Sequence, residues 1–209
     1  MARDQQAAVT EIRNLTSLNN PQKNTEIEKV NAATTRDNVR NILQEANTLN
    51  TAMHGLRESI RDQVDTKNNS KYINEDPTQQ QAYDNAINDA QQVIDETQAT
   101  LDPSTINNLT NEVMHAKSDL HGDTKLQQEK DQAKQTIAKL RNLNNAQIGL
   151  ENTLIDSEQT RTQVKHDLAE AQALDGLMGA LKDSIQDNSR IVSEGNYITV
   201  SYTHLTLTT

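Results

Sequence analysis

Apolar residues recur along this chain at steps of three and four, the period at which one face of an α-helix repeats. Val39, Leu43, Ala46, Leu49, Met53, Leu56 and Ile60 form one such stripe, and Tyr83, Ala86, Ile87, Ala90, Val93 and Ile94 another. Ile106, Leu109, Val113, Ala116 and Leu120 form a third, and Leu126, Ala133, Ile137 and Leu140 a fourth. Val164, Leu168, Ala171, Leu174, Met178, Leu181 and Ile185 close the series. The pattern predicts helices over about 2–18, 21–32, 36–63, 77–98, 103–120, 124–143, 146–157 and 161–187. Asn20-Pro21, Asp76-Pro77 and Asp102-Pro103 read as caps followed by proline in the first turn. Thr35-x-x-Asn38, Thr124-x-x-Gln127 and Thr160-x-x-Gln163 read as capping boxes. The stretch 64–76 is the longest expected connector.

A second regularity has a much longer period. Leu18-Asn19-Asn20 returns as Leu143-Asn144-Asn145, and the same shift of 125 pairs Thr35-Arg36 with Thr160-Arg161 and Val39 with Val164. It continues through Leu43 and Leu168, Glu45-Ala46 and Glu170-Ala171, Leu49 and Leu174, Met53 and Met178, Leu56 and Leu181, and Ser59-Ile60 and Ser184-Ile185, to Tyr72-Ile73 and Tyr197-Ile198. A repeat that matches at helical spacing implies copies of one structural unit. Each stripe is narrow, so each helix needs two neighbours. The fold expected is all-α: an elongated rod of alternating three-helix bundles joined through shared long helices. The segments divide as 1–50 and 124–175 for the smaller bundles, 36–121 for the larger one, and 161–198 for the start of another. A chain that enters helical pattern at once, and ends within a second period, is expected to be part of a longer tandem array.

Composition narrows the function. The 209 residues contain no Cys, Trp or Phe, four Tyr, and only 33% apolar residues. The absence of cysteine removes disulfides, thiol catalysis and Cys-ligated zinc. A formal charge of −10 argues against nucleic acid as a partner, since phosphate binding needs clustered Lys and Arg. No run approaches the length of a membrane span. Val200–Thr209 is β-prone and has no counterpart upstream; it reads as a non-native tail or, alternatively, as a truncated strand.

The stretch Leu49-Asn50-Thr51-Ala52-Met53-His54-Gly55-Leu56, with Ser59-Ile60, Lys71-Tyr72-Ile73 and Gln81-Ala82-Tyr83-Asp84-Asn85-Ala86-Ile87, resembles the FIVAR module. The segment 124–175, with Ile137-x-x-Leu140-x-x-Leu143-Asn144-Asn145-Ala146-Gln147, resembles the GA module. Their alternation at this period is similar to the giant matrix-binding repeat proteins of staphylococci. His54 stands where the second copy has Gly179, and Asn74-Glu75-Asp76-Pro77 departs from the family text. The resemblance implies a very long protein of the Gram-positive cell surface. It implies adhesion to host extracellular matrix, fibronectin in particular, and not an enzyme. The expected mode is weak binding per module made strong by avidity. The other reading is a purely structural stalk with no ligand site of its own.

No catalytic, cofactor or metal site is expected. Five His are scattered through the chain, and no His-x-x-x-His or His-Asp pair is expected on one helical face. The weak candidates for ligand contact are Tyr72, Tyr83, Ile148 and Leu150. Exposed tyrosines suit interfaces, but Tyr72 closing a bundle end and Tyr83 packing in a groove is the stronger reading. Albumin, which GA modules bind elsewhere, would need an apolar patch drawn from Ile148, Leu150, Leu154 and Val164. Ile148 and Leu150 are two apart and cannot both face one core. The first copy has Lys23 and Thr25 in their places, so albumin is not expected as a partner. A monomeric chain is expected.

Overall fold

The computed structural model describes residues 1–96 and 99–193. The tail at 200–209 and the end of the segment 161–198 therefore lie outside the described residues. Among the described residues ten helices follow one another: α1 (Ala2–Asn14), α2 (Asn20–Ala32), α3 (Arg36–Ile60), α4 (Gln63–Lys67), α5 (Ser70–Ile73), α6 (Pro77–Asp95), α7 (Pro103–Ser118), α8 (Gly122–Ile137), α9 (Asn145–Ser157) and α10 (Arg161–Ser193). The described residues are all-α, as the periodicity predicts. They divide into two compact units, the second beginning at residue 124.

The first unit holds two hydrophobic clusters threaded by one helix. Ala8, Val9 and Ile12 of α1, Val30 of α2, and Val39 and Ala46 of α3 form one. Leu49, Ala52, Met53, Leu56 and Ile60 of α3, Tyr83, Ala86, Ile87, Ala90 and Ile94 of α6, and Ile106 and Val113 of α7 form the other. The apolar stripe of α3 changes partners between Ala46 and Leu49, without a break in the helix. Leu15 packs against both clusters. The second unit has one cluster: Ala133 and Ile137 of α8, Ile155 of α9, and Val164 and Ala171 of α10. Every one of these five positions lies 125 residues after a buried position of the first cluster.

Caps explain where most helices start. Asn19 accepts the Gln22 amide at 2.9 Å while its own amide donates to Gln22 Oε1 at 3.0 Å. Asn144 and Gln147 repeat that reciprocal pair, at 2.9 Å each way. The first of these boxes moves the α2 cap one residue before the predicted Asn20, because only Asn19 has the extended backbone an N-cap needs. Asp102 caps α7 through the amides of Ser104 and Thr105, each at 3.1 Å.

Several predicted boundaries differ; α10, for one, runs on to Ser193 rather than ending at 187, and α3 ends at Ile60 rather than 63. The first helix ends at Asn14 rather than 18, because Leu15 is extended and Leu18 is drawn into the second cluster. The sixth predicted helix runs from Gly122 to Ile137 instead of 124–143, so Thr124 lies inside its first turn. The 64–76 connector is largely helical, containing α4 and α5.

Candidate functional site

The α4–α6 corner carries the two tyrosines. Asn69 caps α5 by accepting the Lys71 amide at 3.0 Å, and the single turn of α5 brings Tyr72 against α6. There its hydroxyl donates to Asp84 Oδ2 at 2.8 Å, and Lys67 Nζ lies 2.8 Å from the other oxygen of that carboxylate. The rings of Tyr72 and Tyr83 meet edge to face, with centroids 6.0 Å apart. Burial, with the adjacent Asp84 carboxylate, pushes the Tyr72 pKa up to about 12. Tyr83 is fully buried, and its hydroxyl makes no hydrogen bond. In this state Tyr83 offers a partner no surface, and Tyr72 offers one edge.

The corner is closed from the other side by the chain entering α8. A Cβ at Gly122 would sit 2.6 Å from Lys71 O, Asn74 C and Glu75 N, so only glycine fits. The His121 amide donates to the buried Glu75 carboxylate, and Lys117 pairs with Asp62. None of these contacts could be read from periodicity, because they join residues 46 and 55 positions apart.

The other candidates lie on the second unit. Ile148 packs against the third cluster, and Val164 is buried in it. Leu150 is 61% exposed, and Leu154, one turn on, is also exposed. The stripe along α10 is buried only as far as Ala171; Leu181 and Ile185 are 52% and 58% exposed. Their first-copy equivalents Leu56 and Ile60 are buried under α6 and α7.

Two features were missed in the sequence. The first is a cleft of about 480 Å³ in the first unit, lined by Glu26, Lys29, Asn41, Glu45 and Asp102 among others. Glu26 is buried and pairs with Lys29 at 2.7 Å. The second is a group of His166, Asp167 and Glu170 on α10. Burial raises the Glu151 pKa, and the charges of Asp167 and Glu170 add to the rise. The expectation of no His-Asp pair on one helical face is corrected here, because neighbouring side chains on the exposed side of α10 bring His166 Nδ1 to 3.5 Å from Asp167 Oδ1, and the i,i+4 spacing brings Nε2 to 3.8 Å from Glu170 Oε1.

Comparison with known proteins agrees with this architecture. The GA module model matches residues 1–52 and 123–176, and the FIVAR domain model matches 52–121. The chain is 56% identical, over 184 residues, to the extracellular matrix-binding protein ebh of Staphylococcus aureus strain MRSA252. It is 55% identical over the same length to the extracellular matrix-binding protein EbhA of strain Newman. The match covers 88% of this chain but only 2% and 5% of those relatives, so the chain spans a small part of their length. Among solved structures, the 756–1003 domain of EbhA from S. aureus superposes with a TM-score of 0.78 at 27% identity, covering 82% of this chain and 70% of that one. A structure described for Embp-mediated adherence of Staphylococcus epidermidis to fibronectin matches 57% of this chain and 96% of its own, with TM-score 0.56 and 33% identity. With GA modules on both sides of a FIVAR domain, the chain belongs to the family of GA- and FIVAR-module repeat proteins.

Proposed function

We propose that this chain is a repeat segment of a bacterial cell-surface adhesin that binds host extracellular matrix, with fibronectin as the partner. The observation that carries the reading is the 55–56% identity, over 88% of the chain, to proteins named for matrix binding. The Embp structure adds fibronectin as the ligand of a related protein. Binding is weak per module and strong by avidity, since linked sites raise the effective concentration of one another without any single strong contact. The segments act as modules at 1–50, 36–121 and 124–175, with 161–198 opening another FIVAR-like module. The exposed Leu181 and Ile185 support that last assignment, because their equivalents are the floor of the FIVAR-like core. The chain works without catalysis or a cofactor, as a monomer on the outside of the cell wall. No helix among the described residues is long and apolar enough to cross a membrane.

The test is surface binding of the purified chain, shown helical by circular dichroism, to immobilised fibronectin with albumin as control. Saturable binding to fibronectin, absent on albumin, supports the adhesin. Binding to neither favours a structural stalk, a reading supported by the uninterrupted passage of α3 through two cores.

A further inference from the structure

Glu26 of α2 lines the cleft of about 480 Å³ in the first unit. It is 2% exposed, so its carboxylate is almost wholly removed from water. Lys29, one turn on, donates to its Oε1 at 2.7 Å. The other oxygen, Oε2, is buried and has no hydrogen-bond partner. An ionised carboxylate can accept about four hydrogen bonds, and a buried polar atom left without one is costly. An unmatched carboxylate oxygen in the wall of a cleft is a place for a donor brought by a ligand.

The rest of the cleft has the same bias. Glu45 of α3 lines it, is exposed, and makes no hydrogen bond or ion pair among the described residues. Asp102 supplies a third carboxylate, whose oxygens already accept the amides of Ser104 and Thr105. Lys29 is the one cation among the described lining residues, so the cleft is two charges negative. Leu101 and Pro103 give it an apolar edge. That edge is fastened to α2: the fully buried Gln22 donates to the Thr100 carbonyl at 2.9 Å. The Glu96 carboxylate in turn accepts the Thr100 amide and hydroxyl. A wall held in this way costs little to order when a ligand arrives.

We propose that this cleft binds a guanidinium cation, with Glu26 Oε2 as the buried anchor and Glu45 as the acid at the mouth. The negative balance rules against an anion. A divalent metal ion wants several free oxygens, and here one buried oxygen is free while an ammonium sits on its neighbour. A guanidinium is planar, carries five donors in a fixed fork and is weakly hydrated, so it can meet two carboxylates and an apolar edge together. A lysine ammonium is a strongly hydrated point charge and gains less from being drawn into the cleft. The cation is either an arginine side chain of another protein or a free guanidino compound, since both present the same head.

The experiment is an NMR titration of the full isotope-labelled chain with the blocked tripeptide Gly-Arg-Gly. Matching peptides carrying citrulline or lysine, and the free compound agmatine, form the other arms. Saturable amide shifts centred on α2, α3 and residues 100–103 are expected with the arginine peptide. The citrulline peptide, which keeps the shape and loses the charge, should give none. Glu26→Gln is expected to weaken binding about tenfold or more, because it removes a charged acceptor. Glu45→Gln, at an exposed position that leaves folding undisturbed, should weaken it about threefold. Tighter binding of the peptide than of agmatine supports a protein-borne arginine, and the reverse supports a free compound. A helical chain with no saturable shifts overturns the proposal. So does equal binding of the lysine peptide, which would be general attraction to an acidic chain, or affinity unchanged in both variants.

Discussion

The side chain of Asn50 accepts the amide proton of Ser17 at 3.0 Å, fastening the α1–α2 turn to the middle of α3. Arg57, two turns further along α3, donates to the Ser17 carbonyl at 2.8 Å. The second copy makes the same clasp with different residues. Asp175 accepts the Asn142 amide at 2.7 Å, and Lys182 donates to the Asn142 carbonyl at 2.9 Å. The Ser17 amide belongs to a buried residue, so losing its acceptor leaves it unsatisfied. Asn50→Ala is expected to cost about 1–2 kcal/mol, and Asp175→Ala, which removes a charged acceptor, about 1.5–3 kcal/mol. Asp175→Asn keeps an acceptor and should cost less. Urea denaturation of the three variants checks the order.

The repeat also sets up a contrast between equivalent residues. Leu56 is fully buried and Leu181, 125 positions on, is half exposed. Leu56→Ala is expected to lose about 2–5 kcal/mol through lost transfer energy and a cavity. Leu181→Ala should stay within about 0.5 kcal/mol, as exposed substitutions do. Equal losses in chemical denaturation would show that the α10 stripe is covered in solution.

The tyrosine pair should respond in opposite ways. Tyr83→Phe removes a buried hydroxyl that has no hydrogen bond, and should be neutral or stabilising by up to about 1 kcal/mol. Tyr72→Phe removes the donor to Asp84, and should destabilise by about 1 kcal/mol. Tyr72 also predicts an alkaline response. Its folded pKa is raised from 10.0 to about 12, so its stabilising contribution is complete below pH 10 and disappears as pH rises towards 12. Thermal melts across that window should fall less steeply in Tyr72→Phe than in the unmodified chain.

Two glycines test close approach. Gly122→Ala drives a methyl into backbone atoms 2.6 Å away and should destabilise by about 1–3 kcal/mol. Gly149 lies inside α9, and a Cβ added to it would meet nothing within 4 Å, so Gly149→Ala should stabilise by about 0.5–1 kcal/mol. Melting temperatures of the two variants should move in opposite directions.

An acid response is expected at the start of α7. The Thr105 hydroxyl and the amides of Ser104 and Thr105 hold the Asp102 pKa below its usual value. A lowered folded pKa stabilises above the unfolded pKa, and that contribution is lost as pH falls through the folded value. Asp102→Ala should therefore destabilise at neutral pH and make no difference in strong acid. Helicity followed against pH in both chains checks the convergence.

How much was legible differs from element to element. The stripes of α3, α6, α7 and α10 were readable because helical burial repeats every three or four residues, whatever the partner. The end of α1 was misplaced because Leu15 and Leu18 continue an apolar pattern while the backbone at Leu15 is extended. Periodicity records which residues want burial, not which backbone brings them to it. The α4–α5 corner was read as a connector because helices of five and four residues are too short to show a period.

By itself the sequence determined the helical register, the apolar face of each helix and the 125-residue repeat, since these follow from local spacing and from self-comparison. Only the tertiary structure decided which half of α3 serves which core, that Gly122 must be glycine, and that Tyr83 is sealed while Tyr72 is half open. Those facts depend on contacts between residues distant in the chain. Spacing within a helix says which way a side chain points, and only the packed neighbour says what it meets there.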